Sequence, residues 1–234
     1  ANLGVTGVMI AALVADVVSG GYALYLLTSV APIRIGLNWE IARKLTRLGI
    51  VYAVALFLLT LNYRLPILLL QNLSTLNEVG IYAVGQTLAL AIWEIPGMLS
   101  TLVFSRGVNA KDSEVFTDKV VVLTRLVVLS GILVGIGCAI VGPFAIPILY
   151  GHDFARSATV LTILLPGTIA FMAFKVLHMD LAGRGWPWVS IPIVVPSMLA
   201  NAAAGALVVP RYGAEGAAAI TSISYIVATA LYVV

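Results

Sequence analysis

Charge is what this sequence has least of. Of its 234 residues, 10% are Asp, Glu, Lys or Arg, against roughly a quarter in soluble domains. Hydrophobic residues make up 61% and the mean hydropathy is +1.08, so the composition belongs in a bilayer. Cysteine is nearly missing too. The single Cys138 sits in "GILVGIGCAIVG" without a partner, which excludes a disulfide framework and leaves it as a small packing residue. The two histidines, in "YGHDF" and "LHMD", fall on opposite sides in the topology below, so they cannot share a metal or a haem. No Gly-rich loop precedes a lysine, and no exposed acidic pair or ionisable constellation gathers on one face. A membrane glycosyltransferase or phosphatase would need one, so no enzyme, cofactor or metal is expected. A net charge of +3, scattered along the chain, gives nucleic acid no footprint. Period-two alternation is missing, which excludes a transmembrane barrel.

What is present is long apolar runs. Seven stretches reach the roughly 20 residues needed to cross about 30 Å of hydrocarbon: Leu3–Thr28, Leu48–Leu70, Gly80–Phe104, Val120–Gly142, Ala158–Leu181, Val189–Val209 and Ala214–Val234. An all-α polytopic membrane protein with seven transmembrane helices is the expectation. "PFAIPILYG" is too short to cross and is expected to lie at the interface or re-enter. The first run, with no basic leader, exceeds the roughly 7–15 residues of a signal-peptide core, and the chain reads as a cut through a longer protein. Basic residues set the orientation. Arg34, Arg43, Lys44, Arg47, Arg106, Lys111, Lys119 and Arg184 fall on one side, Arg156 and Arg211 on the other. Eight against two makes the first side cytoplasmic, with the N-terminus outside and the C-terminus inside. "LNWEIARKLTR" reads either as an amphipathic segment on the inner membrane surface, Trp39 among the headgroups, or as a plain connecting helix.

Small residues recur at helix-packing spacing in "GILVG", "NAAAGA" and "AEGAAAITS". Such strips let backbones approach closely where lipid supplies no hydrophobic drive, and three of them argue for a compact bundle. Ionisable residues inside spans are rare and mark function by default. Here they are Asp16, Arg64, Glu94 and Arg125, with Lys175, His178 and Asp180 nearer the inner end of the fifth span. At 1.5 Å per residue, Arg64 lies roughly 10 Å below the outer surface. It is within reach of Glu94 and closer in depth to Gln86. The plain alternative is that it snorkels outward or binds carbonyls freed by Pro66. Pro66, Pro96 and Pro166 each interrupt a span, as suits a transporter that changes shape and equally a passive bundle.

The segments "ILYGHDFARSATVLTILLPGTIAFMAFKVLHMDLAGRG" and "VPRYGAEGAAAITSISYIVATALYVV" carry a family pattern. It comprises Leu149–Gly151, Phe154, Ala155, Leu165–Gly167, Leu181–Arg184, Asn201, Pro210, Gly213, Gly216–Ala218 and Ser224–Tyr225. "NEVGIYAVGQTLALAIWEIPGML" matches a further segment. From about Leu48 to its end, the chain resembles the C-terminal half of the O-antigen (polysaccharide) flippases, in the multidrug/oligosaccharidyl-lipid/polysaccharide exporter superfamily. Lipid II flippases and drug exporters share that architecture. The resemblance implies a MATE-like transporter of two facing bundles in a bacterial or archaeal inner membrane. Residues 1–29 would be the last helix of the first bundle, 30–47 a cytoplasmic linker and 48–234 the second bundle. It implies a polyprenyl-pyrophosphate-linked oligosaccharide as substrate, with membrane lipids, a polysaccharide polymerase and chain-length machinery as partners. Arg64, Arg125 and Lys175 become candidates for binding the diphosphate, and Glu94 and Asp16 for a coupling ion. Where family members often carry an acid just after the position of Arg64, this chain has Pro66.

Overall fold

The computed structural model describes residues 4–30, 38–107 and 113–233; of the basic residues counted above, Arg34 and Lys111 lie outside them. The described chain is almost entirely helical, with no strand among its residues. In order come α1 (Gly4–Val30), α2 (Trp39–Leu73), α3 (Leu76–Ala91), α4 (Glu94–Gly107), α5 (Ser113–Tyr150), α6 (Ser157–Gly183) and α7 (Ile191–Val233). Short 3-10 turns occupy His152–Phe154 and Pro187–Ser190. The chain divides into two compact units, Ala1–Arg47 and Leu48–Val234. In the first, α1 is exposed along its described length. Asn38 begins α2, its Oδ1 accepting from the Glu40 and Ile41 N–H groups, so Trp39–Arg47 form the first turns of α2 itself.

Among the described residues five helices are long and apolar enough to cross a membrane: α1, α2, α5, and α6 and α7 with the turns that precede them. The expected third span is instead two short helices, broken at Ile92–Trp93. Pro96 explains the place. It has no N–H to return to the carbonyl four residues earlier, at Ile92, and the chain there closes a tighter turn, Trp93 N–H to Leu90 O at 2.8 Å. Pro66 and Pro166 sit inside unbroken helices. For "PFAIPILYG" the re-entrant alternative is overturned. These residues are the last turns of α5, which runs through Pro143 and Pro147 and stops at Gly151, φ +94°. The expected sixth and seventh spans are the two arms of α7, parted at Gly213 (φ 54°, ψ −133°). The arms fold back on each other, with the Ser197 and Ser224 hydroxyls 2.9 Å apart.

In the second unit α6 is the hub, packed by α3, α4, α5 and α7. Glycines decide how close each neighbour comes. A Cβ at Gly167 would overlap the Ser222 backbone, and the Gly167 N–H donates to Ser222 Oγ at 2.9 Å. Gly131 and Gly135 of α5 receive Met172 and Ile169 of α6, and Gly85 of α3 receives Val160. Where lipid is as apolar as the side chains, dispersion contacts of this kind hold helices together.

The connections sort onto two ends. At one, Arg156 reaches Glu78 (2.6 Å) and Glu215 (3.3 Å). At the other, Arg184 pairs with Asp180 (3.1 Å) and donates to Thr117 (2.8 Å), and the Tyr52 hydroxyl donates to Ala182 O (2.7 Å).

Candidate functional site

The site begins with α2. Ala55, Leu59, Asn62, Pro66 and Leu70 recur every three to four residues and are buried. They are the face α2 turns to the bundle. Two residues on from Asn62, Arg64 stands on the opposite face, exposed, in line with Phe57, Thr60, Leu68 and Gln71. Among the described residues Arg64 makes no hydrogen bond or ion pair. Glu94 does not reach it, and Gln86 is engaged elsewhere, donating from Nε2 to Tyr63 O at 2.9 Å. Pro66 is buried, so its ring faces away from the guanidinium.

A second charge lies at the α3–α4 break. Lys175 Nζ sits 4.5 Å from the centre of the Trp93 ring, a cation–π contact, and close enough to Glu94 to feel its charge. Trp93 is held on several sides. Its indole N–H donates to Thr168 O at 3.0 Å, it stacks on Phe171 (5.6 Å), and Tyr63 meets it edge-on (5.2 Å). An aromatic cluster thus fixes the platform over which the ammonium rests. Of the five residues singled out from the sequence, Lys175 and Glu94 lie near enough to interact electrostatically but form no ion pair. Arg125 is exposed on α5, turned about half a revolution from the residues that line the groove described below. Asp16 lies in the other unit. His178 and Asp180 are buried, the imidazole stacked on Phe174 and the carboxylate held by Arg184.

Sequence reasoning missed the cluster at the opposite end. Thr75 caps α3, accepting from the Glu78 N–H at 3.4 Å. The Glu78 carboxylate takes an N–H from Ala214 (2.7 Å) on one oxygen and the Arg156 guanidinium on the other. Burial alone would raise the Glu78 carboxyl, but those two donors outweigh it and hold its pKa below the usual carboxylate value. A signal was there to read: Thr75 and Glu78 stand at capping-box spacing, although the carboxylate is used across the bundle.

Between α3 and α5 lies an apolar groove of about 680 Å³. Both walls seat on α6 through glycine, at Gly85 on one side and at Gly131 and Gly135 on the other, which leaves a trough floored by Leu161 and Met172. Its lining holds one hydroxyl, Ser130, already committed to Val127 O at 2.8 Å. Comparison with family models, with curated proteins and with solved structures finds no match to this chain.

Proposed function

We propose that this chain is the second bundle of a flippase together with the last helix of the first, seven crossings in all. It would move a polyprenyl-pyrophosphate-linked oligosaccharide across the inner membrane by alternating access, for cell-surface polysaccharide synthesis. The contrast between two exposed faces carries the reading. The exposed face of α5 carries Arg125 near its start and then no charged side chain from Leu126 to Tyr150, as suits lipid over that length. The exposed face of α2 carries Arg64 with Thr60 and Gln71, in line with Phe57 and Leu68. Hydrocarbon penalises an unpaired guanidinium by several kcal/mol, so that face is better matched to a polar cavity shared with a facing bundle.

A diphosphate suits such a residue, because the planar fork of arginine gives two parallel charge-assisted bonds to phosphate oxygens. An inside-negative potential favours outward movement of about two negative charges by roughly 4–5 kcal/mol per 100 mV. The cation therefore serves loading, and release must be prompted. Glu94, beside Lys175, is the candidate for that prompt through a bound proton or Na⁺.

A drug/cation antiporter of the same architecture calls for an acidic, aromatic cavity, a lipid II flippase for a different headgroup, and a passive scaffold for a paired Arg64. In the full-length protein, Arg64→Ala should abolish export at near-normal membrane abundance. Arg64→Lys should restore only part of it, because an ammonium keeps the charge without the fork. Normal export by Arg64→Gln would overturn the assignment, and loss of the folded protein would favour the scaffold.

A further inference from the structure

We infer that the groove between α3 and α5 holds the isoprenoid tail of the lipid-linked phosphate, with the phosphate at Lys175. The choice of occupant rests on the reading proposed above; the site itself rests on three features of the second unit. The groove is apolar but for Ser130, whose hydroxyl is already engaged, so it offers little to a sugar and much to a hydrocarbon chain. Its volume, about 680 Å³, lies within the roughly 300–1,000 Å³ of small-molecule sites.

Charge is placed where an amphiphile needs it. Ile92 and Met172 line one end of the groove. Trp93 follows Ile92 in the chain, and Lys175, less than one turn beyond Met172 on α6, rests over it. A tail lying in the trough would therefore deliver its anionic head to an ammonium that aromatic rings hold in position. That is complementarity of both apolar and charged parts along one line.

The walls distinguish a branched chain from a straight one. Gly137 lines the groove, and a Cβ built there meets nothing within 4 Å. Gly142 and Ala145 continue the thin wall. Open space beside the bare backbone at Gly137 suits the methyl branches of isoprene units better than a straight acyl chain. The same fact supplies the test variant, since the Cβ of Gly137→Leu meets no neighbour and its side chain starts into the groove.

The experiment uses the whole chain, purified in detergent, with three probes followed by native mass spectrometry: geranylgeranyl phosphate, geranylgeraniol and hexadecyl phosphate. Geranylgeranyl phosphate should bind at least fivefold more tightly than hexadecyl phosphate. Gly137→Leu should weaken it tenfold or more. Lys175→Gln should bring the phosphate down to the affinity of the alcohol and leave the alcohol unchanged. Cys138, the single cysteine, lines the groove, so in the unaltered chain the bound phosphate should slow its reaction with an apolar maleimide severalfold. Unchanged binding by Gly137→Leu, or an unprotected Cys138, would overturn the site. Equal binding of hexadecyl phosphate would assign the groove to bilayer acyl chains and overturn the isoprenoid occupant. Binding intact in a protein that fails to export would sink the transport reading alone, whereas export that depends on Arg64 without binding here would sink this inference alone.

Discussion

Gly213→Ala tests the turn on which the two arms of α7 depend. Two costs act there. At φ 54°, ψ −133° the backbone lies where side-chain-bearing residues pay roughly 1–3 kcal/mol. A methyl group would also overlap Glu78 Oε2 and push the carboxylate off the Ala214 N–H, a charged hydrogen bond of roughly 1.5–3 kcal/mol. Arg156 is half exposed, at 49%, so its share of the ion pair adds little. The sum is about 2.5–6 kcal/mol, read as a lower midpoint in equilibrium unfolding from mixed micelles. A cycle with Glu78→Ala divides the two costs. With the carboxylate gone the methyl group has nothing to displace, and the remaining penalty should fall by about 1.5–2 kcal/mol. If Gly213→Ala costs under about 0.5 kcal/mol, or if the two changes add without coupling, the account of this turn is wrong.

The same carboxylate predicts a pH dependence. Its folded pKa lies below the ordinary value of 4.5, so its contribution is full above that value and is lost as acid carries the pH down through the folded pKa. Unfolding midpoints between pH 5 and pH 3 should drop more for the unaltered chain than for Glu78→Gln; parallel curves would refute this. Gly167→Ala should cost about 1–3 kcal/mol through overpacking against the Ser222 backbone, and a neutral result would mean that α6 and α7 stand further apart than described. In a Cys138→Ala background, cysteines at Asn77 and Tyr212 should react with an impermeant reagent from outside, and one at Lys119 only after permeabilisation. Labelling of the Lys119 position from outside would invert the topology.

The long spans were legible because hydrocarbon thickness fixes a length, and length is a property of sequence alone. α1, α5 and α6 follow from it directly. The break at Ile92–Trp93 was half legible. Pro96 marks it, yet Pro66 and Pro166 carry the same mark inside unbroken helices. What differs is tertiary. At the α3–α4 break the indole of Trp93 finds Thr168 O and Phe171, partners from a helix roughly 75 residues further on that no local window contains. "PFAIPILYG" misled for a related reason: it was too short to cross alone, but it extends a helix already under way. The small-residue strips pointed to close packing, and the structure supplies each partner, Met172 for Gly131 and Leu69 for Gly205.

Charged residues divide along the same line. Depth is written in the sequence, since it is a count along a helix. The direction a side chain takes around the helix axis is not, because it depends on which neighbour covers which face. Arg64 and Glu94 were comparable candidates by depth, and only the burial of Asn62 and Pro66 turns Arg64 away from the bundle. Lys175 was readable as an interfacial lysine until Trp93 came under it. A guanidinium free on one helix and an ammonium fixed over an indole on another are different instruments. The first, with no partner among the described residues, is open to a ligand from outside the bundle. The second, held by an aromatic cluster and moderated by Glu94, suits a place where an anion is received at a set position. On the function proposed above, a substrate with a long apolar tail and a doubly charged head would use both, one to seat it and one to hand it on.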